Sequence, residues 1–303
     1  MPTLIDLTRT MDPERRAQVH ESFRALETVI APRIEYLRPE AGGLERMTSI
    51  FGCEPSDLPD GEGWGEDLLT DMNTHCGTHV DAPLHSGNRI EGRPARTLSD
   101  IGLDELFRPG MVLDLRDWVS PGAAIPIEGL EAAVKATGRD IAEGDAVLLR
   151  TGQEDWYTVA DPEYFDYPGM TGETTRWLTS RGATILGTDA MAWDRPFPVM
   201  RRAFEETGDP AQIWDGHFAI RDKEAFIVQQ MTNLGALPLT GSRSASSRSS
   251  CRAPARPRRG RWRSSTTDQA RPRNPVTSSP DGRPGSSRAS ARYWPEERST
   301  CRR

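Results

Sequence analysis

The sequence is short of cysteine, of long apolar runs and of lysine, and each shortage excludes something. Four cysteines in 303 residues (Cys53, Cys76, Cys251 and Cys301) are too few and too scattered for a disulfide scaffold. No run approaches 18 consecutive apolar residues, so no transmembrane helix is expected. The start, Met1-Pro2-Thr3-Leu4-Ile5-Asp6-Leu7-Thr8, has neither a basic opening nor a long apolar stretch. A secretory signal is therefore not expected, and the expected location is the cytoplasm. Hydrophobic residues still make up 36% of the chain, enough for a sizeable core despite a mean hydropathy of −0.62.

Lysine is the sharpest shortage. Lys135 and Lys223 stand against 36 arginines, and the arginines are unevenly spread. Residues 241–303 hold 16 of them with four acids (Asp268, Asp281, Glu296 and Glu297) and carry +12, which leaves −19 on residues 1–240. In this tail Val276 alone represents Val, Ile, Leu and Met. Such a composition cannot bury enough apolar surface to offset the entropy of ordering, so disorder is expected. A basic tail on an acidic body reads as a nucleic-acid arm, a solvated extension or an out-of-frame translation. Trp262, Tyr293 and Trp294 are too few and too clustered for the aromatic interleaving of the first, so nucleic acid is not an expected partner. The third is favoured. Arginine with almost no lysine suggests GC-rich codons, and GC-rich codons read out of frame yield Arg, Ser, Pro, Ala and Gly. Permitted codons for residues 261–267, read from one nucleotide before Trp262, give Leu-Ala-Ile-Val-Asp-Asp. The expected organisation is one folded domain over 1–240 and a disordered, frame-shifted tail over 241–303, with an inactive product of a disrupted gene as the companion reading.

Within the body, Leu4–Thr8 reads as a short strand. Asp12-Pro13 opens a helix toward Val29, which Ala31-Pro32 ends. Residues 38–66, rich in Gly, Pro and acids, read as a long loop. Thr70–Asp81 has strand character broken at Gly77. Strands are expected at Met111–Leu115, Ala146–Arg150 and Ala183–Asp189, and helices at Ile127–Thr137 and Thr171–Ser180. Interspersed strands and helices favour a single mixed α/β domain.

The chemistry is concentrated in His75-Cys76-Gly77-Thr78-His79-Val80-Asp81-Ala82-Pro83-Leu84-His85, which holds three of the five histidines. Imidazoles with a carboxylate are the ligand set of zinc or manganese. Gly77, Thr78, Val80 and Pro83 all disfavour a helix. In an extended chain the odd positions share a face, and His79 and Asp81 lie about 7 Å apart, close enough to share an ion. His75 and His79 would be about 13 Å apart, so the chain must turn between them, and Gly77 tolerates such a turn. Cys76 falls on the other face and reads as a packed residue. Trp64, ahead of the motif, reads equally as a cover for an aromatic substrate or as simple packing.

This eleven-residue run resembles the signature His-x-Gly-Thr-His-x-Asp-x-Pro-x-His of the cyclase and bacterial kynurenine formamidase family of metal-dependent hydrolases, which includes isatin hydrolase. Supporting matches are Ile5-Asp6-Leu7-Thr8, Pro109–Asp114, Ala146–Gly152, Pro168-Gly169-Met170, Leu186–Asp189 and Asn233–Pro238, so the resemblance covers about residues 3–240. It implies a swivelling β/β/α domain, assembled as a homodimer or homotetramer, that binds a divalent metal, zinc or manganese. By motif position His75, His79 and Asp81 would hold the metal and His85 would transfer protons. His217 and position 229 match a later His and Glu pair. Here position 229 is Gln, which favours one metal over two, with His217 as a further catalytic residue and Gln229 as a ligand or orienting group. The implied activity is hydrolysis of an amide, lactam or lactone of a small aromatic or cyclic substrate. A polyketide-type cyclase using the same metal site is the alternative.

Overall fold

The computed structural model describes residues 3–153 and 158–245. The tail expected to be disordered and frame-shifted lies outside the described residues from position 246 onward. The chain starts with an extended stretch at Leu4–Thr8 that joins no sheet, which corrects the expected strand. Its hydrogen bonds go elsewhere: Leu7 O accepts from Thr232 N at 3.0 Å, and Asp6 O accepts from Asn233 Nδ2 at 2.8 Å.

The helix expected from residue 13 to 29 is broken. Short helices α1 (Glu14–Gln18) and α2 (Glu27–Ile30) flank a 3-10 turn, because Val19 and His20 leave the helix. Val19 is buried, His20 N donates to Val159 O at 3.0 Å, and Phe23 stacks on Phe165 at 4.1 Å. Tertiary packing overrides the local pattern here. The expected loop at 38–66 also needs correction. A hairpin of β1 (Arg33–Leu37) and β2 (Glu66–Asp71) encloses the ten-residue helix α3 (Gly42–Phe51). Gly43 serves close approach and not looseness, since a Cβ there would lie 1.8 Å from Trp64 O.

The centre is a six-stranded sheet. In chain order come β3 (His79–Asp81), the one-turn helix α4 (Pro83–Ser86), the small ribbon β4 (Arg89–Ile90) with β5 (Arg93–Pro94), then β6 (Phe107–Asp114) and α5 (Ile127–Thr137). After them follow β7 (Ala146–Arg150), α6 (Gly172–Ser180), β8 (Ile185–Thr188), α7 (Phe197–Thr207), α8 (Asp215–Ala219), β9 (Phe226–Gln229) and β10 (Thr240–Ala245). The strand order is β10-β6-β7-β8-β9-β3. The four inner strands run parallel, and both edge strands are antiparallel to their neighbours. The fold is thus mixed α/β around one mixed sheet, as expected. β10 crosses the change of composition at 240/241, with Arg243 registered against Pro109.

Inner strands that are covered on both faces read as continuous apolar runs, as Ala146–Arg150 and Phe226–Gln229 do. One face packs Met111, Leu113, Val147, Leu149, Leu186 and Ile227 against α5 and α6 through Leu130, Ala133, Val134 and Leu178. The other packs Val112, Leu148, Ile185, Phe226 and Val228 against Ile101, Leu106, Met231 and Leu234. Fully burying one such aliphatic side chain contributes about 1.5–3 kcal/mol. That packing holds the carboxyl ends of β8 and β9 beside β3.

Candidate metal centre

β3 and β9 align His79 with Gln229 and Asp81 with Ile227. Alternation then puts His79 and Asp81 on one face, while Val80 packs on the opposite face against the second core cluster. The turn required between His75 and His79 is present, with Gly77 at φ +63°. It returns His75 so that its Nε2 lies 3.3 Å from Asp81 Oδ1, and His79 Nε2 lies 3.6 Å from the same oxygen. His75 Nδ1 donates to Asn73 Oδ1 at 2.8 Å, and His79 Nδ1 donates to Gly77 O at 2.8 Å. With both Nδ1 atoms occupied as donors, each ring turns its Nε2 lone pair toward Asp81, and that of His79 also lies 3.3 Å from Gln229 Nε2. The ligand atoms of His75, His79 and Asp81 all lie within 4.8 Å of one another. That donor set fits a divalent ion such as zinc.

Pro83 redirects the chain after β3, and α4 carries His85 back over the site. Its ring lies 4.4 Å from that of His75 and 5.4 Å from that of His217. His217, on α8, points Nε2 at Asp81 Oδ2 from 3.4 Å. Asp81, His85 and His217 therefore form a second cluster that shares Asp81 with the first. The structure brings together all six residues singled out from sequence. The fifth histidine, His20, instead accepts from Ser22 N at the start of a 3-10 turn.

Gln229 shows its two amide atoms distinct partners. Oε1 accepts from Trp193 N at 2.8 Å, and Nε2 donates to Asp81 Oδ2. The amide oxygen is thus held by a backbone donor, and the amide nitrogen lies between Asp81 and, at 3.3 Å, His79 Nε2. Cys76 is buried, and burial pushes its thiol up to about 11. It is a packed neutral residue beside the cluster.

Two residues that sequence reasoning missed complete the site. Asp194, buried in the loop after β8, accepts from Gly216 N at 2.6 Å and from His217 N at 3.1 Å, and binds His217 Nδ1. Nothing in its neighbourhood, Ala192-Trp193-Asp194-Arg195, marks it out in sequence. Trp214 sets its indole 4.9 Å from the His85 ring and 4.7 Å from that of His217. Trp64 lies beside Gly43 at the start of α3.

The electrostatics separate His85 from His217. Burial pushes His85 down to about 4 despite the pull of Asp81, so it is neutral near pH 7. Burial also disfavours a charge on His217, but Asp194 and Asp81 together outweigh it and carry His217 up to about 9. Asp81 itself stays ionised. Burial opposes its charge, and the neighbouring imidazoles of His217, His75 and His79 overcome that opposition.

The profile of the family described as "Putative cyclase" matches residues 5–195. The chain belongs to this cyclase family. Among curated members it is similar to the kynurenine formamidase of Bordetella petrii, at 29% identity over 154 residues covering 46% of this chain and 63% of that protein. It is also similar to the kynurenine formamidase of Erythrobacter litoralis, at 30% over 124 residues covering 41% and 48%. The chain thus spans roughly half of the curated relatives it matches. Among solved structures the family fold recurs in isatin hydrolase A from Labrenzia aggregata, with TM-score 0.54, 21% identity and coverage of 78% and 83%. Isatin hydrolase A from Ralstonia solanacearum gives 0.55, 20%, 80% and 84%. His217, on α8, and Gln229, on β9, lie beyond the matched profile.

Proposed function

We propose that this chain is a metal-dependent hydrolase that cleaves an amide, lactam or lactone bond of a small aromatic or cyclic substrate. The observation that carries the reading is the convergence of His75 Nε2, His79 Nε2 and an Asp81 oxygen, with His85 alongside. The likeness to kynurenine formamidases supports the amide class. His75, His79 and Asp81 would hold one divalent cation, zinc or manganese. When bound, such an ion polarises a substrate carbonyl and acidifies water.

His85, neutral near pH 7, accepts the proton of the attacking water. His217, which Asp194 and Asp81 keep protonated, donates to the departing nitrogen or oxygen. The acid and the base are thus told apart by surroundings that move two identical side chains in opposite directions. Gln229 holds Asp81 in register with the two imidazoles. The test is elemental analysis of the purified protein followed by a hydrolysis screen of N-formyl amides, cyclic imides and lactones. Turnover that follows metal content supports the reading, and a metal-loaded protein inert toward all three classes defeats it.

The organisation that goes with this reading is a hydrolase domain over 1–240 followed by a frame-shifted tail, with β10 extending the domain's sheet to Ala245. If no single-nucleotide change near codon 241 opens an apolar frame in the coding DNA, the tail reading fails. Assembly as a homodimer or homotetramer belongs to the same proposal, and sedimentation equilibrium tests it. No helix among the described residues is long and apolar enough to cross a membrane. A cytoplasmic location accords with this proposal, and cell fractionation checks it.

A further inference from the structure

Two consecutive glutamines close β9. Gln229 reaches Asp81, and Gln230 leaves the strand with a left-handed backbone, φ +56°. That region is costly for a long side chain, and such residues collect where function over-determines them. Gln230 is 1% exposed, and its N–H donates to Ala190 O at 3.1 Å, in the loop after β8. Two of its other polar groups go to the turn that carries His75. Nε2 donates to His75 O at 3.1 Å, and the main-chain O accepts from Thr78 Oγ1 at 2.6 Å. Oε1 is buried and finds no partner among the described residues, a further cost. An asparagine or glycine would make the same exit from β9 with less strain, but neither carries an amide as far as His75.

The turn needs such a hold. Of the three residues proposed to bind the cation, His79 and Asp81 are fixed by the ladder between β3 and β9, and His75 is not. Its local partner is the exposed Asn73, whose Oδ1 accepts from His75 N at 2.9 Å and from Nδ1 at 2.8 Å. Main-chain bonds from Asn73 N and Gly77 N run to α2, at Thr28 O and Val29 O. The less of the turn is fixed beforehand, the more of its ordering entropy the ion must offset. We propose that Gln230 is a positioning residue for the cation: it clamps the His75–Thr78 turn to the end of β9 and presents the His75 imidazole beside His79 and Asp81 before an ion binds. This rests on the metal-dependent reading above. The two glutamines then serve both parts of the donor set, Gln229 through Asp81 and Gln230 through His75.

The test titrates zinc by calorimetry into the full-length protein stripped of metal. Gln230→Met fills a similar volume without a donor. Gln230→Asn accepts the left-handed backbone but is one methylene too short for His75. Both variants should bind zinc about 10–100-fold more weakly, the usual effect of removing a group that orients a metal ligand, with the melting temperature of the metal-free protein little changed. The discriminating measurement is a double-mutant cycle with His75→Ala, which removes the imidazole and keeps the carbonyl that Gln230 holds. In that background Gln230→Met should change zinc affinity by less than about twofold. An equal loss in both backgrounds would show that Gln230 acts on the fold at large and would overturn the proposal. Should Gln230→Met fail to fold, Gln230→Asn carries the same cycle, because it relieves the backbone strain. A parent that binds no zinc defeats the metal reading and this proposal with it. Zinc bound equally by the parent and by both single variants defeats this proposal alone.

Discussion

His79, Asp81 and Gln229 are carried by paired strands, whereas His75, His85 and Trp214 are carried by a turn, a one-turn helix and a single left-handed residue. In the first group the ladder between β3 and β9 sets the spacing, and the side chains are buried. In the second, single bonds from other parts of the chain set the place, as Gln230 Nε2 to His75 O at 3.1 Å and Trp214 N to Met200 Sδ at 3.2 Å do. The ladder fixes two of the three proposed cation-holding residues, His79 and Asp81, and the third, His75, reaches them from a turn. The proposed proton-handling residues, His85 on α4 and His217 on α8, both lie off the sheet, which accords with the general placement of reactive groups around a rigid scaffold. The switch to the loop-borne half happens at Pro83, two residues after the last strand-borne ligand.

The largest effect should come from the strand-borne half. Asp81→Ala removes the only charged member of the first cluster and leaves His217 without one of its two carboxylates. The variant should lose most of its metal and all measurable turnover, and full metal occupancy by elemental analysis would show that the ligands lie elsewhere. His85→Ala should split the halves: metal retained, turnover down by about 10²–10⁴-fold, the range for an acid–base group. Near-native turnover in that metallated variant would end the role of His85.

Asp194→Asn is a smaller disturbance. It keeps an acceptor near His217 but removes the charge that keeps the imidazole protonated. Turnover should fall by about 10–100-fold, the usual cost of losing a carboxylate behind a site histidine, with the melting temperature little changed. Histidine NMR should show the His217 resonance moving toward the neutral imidazole. An unmoved resonance would mean that Asp194 holds only the backbone of α8. Gln229→Glu should show itself in stoichiometry. Next to Asp81 the new carboxylate repels until a second cation screens the pair, so zinc calorimetry should detect a second site that the parent lacks. Two ions in the parent, or one in the variant, would count against a one-metal site limited by the amide.

The mildest test concerns the brace between the halves. Arg96 O accepts from Leu84 N at 3.1 Å beside His85, and the Arg96 guanidinium pairs with Glu105 and with Glu224 ahead of β9. Arg96→Met should lower the melting temperature by about 2–4 °C, for about 1 kcal/mol. Glu105 is held below its ordinary 4.5, first by the Arg96 hydrogen bond. A depressed carboxyl contributes stability above its unfolded pKa and loses it as pH falls through the folded one. The gap between parent and variant should therefore shrink below about pH 4.5, and a gap independent of pH would assign the effect to packing.

The strand-borne half was readable because alternation is a local property: positions 79 and 81 share a face in any extended chain, and Gly77 announces the turn. His217 and Gln229 carried no local signal of their own and were reached through the family motif. Asp194 and Trp214 escaped notice because their contacts are made across the fold, by residues with no pattern around them. Trp64 drew attention through its glycine-rich surroundings, which turned out to serve the tight passage of Gly43 against the chain. The same glycines concealed α3, since Gly42 and Gly43 lower helix propensity just where the helix begins.

The bonds that close the site span long stretches of chain: 136 residues from Asp81 to His217, 148 from Asp81 to Gln229, and 150 from His79 to Gln229. Contacts of that separation form late, because the intervening chain must be ordered first. During synthesis the His75–His85 run leaves the ribosome long before its partners on α8 and β9 exist. Competence to bind the cation should therefore be acquired at the end of folding. Zinc added during refolding should leave the early rate unchanged and slow only the unfolding of the finished protein.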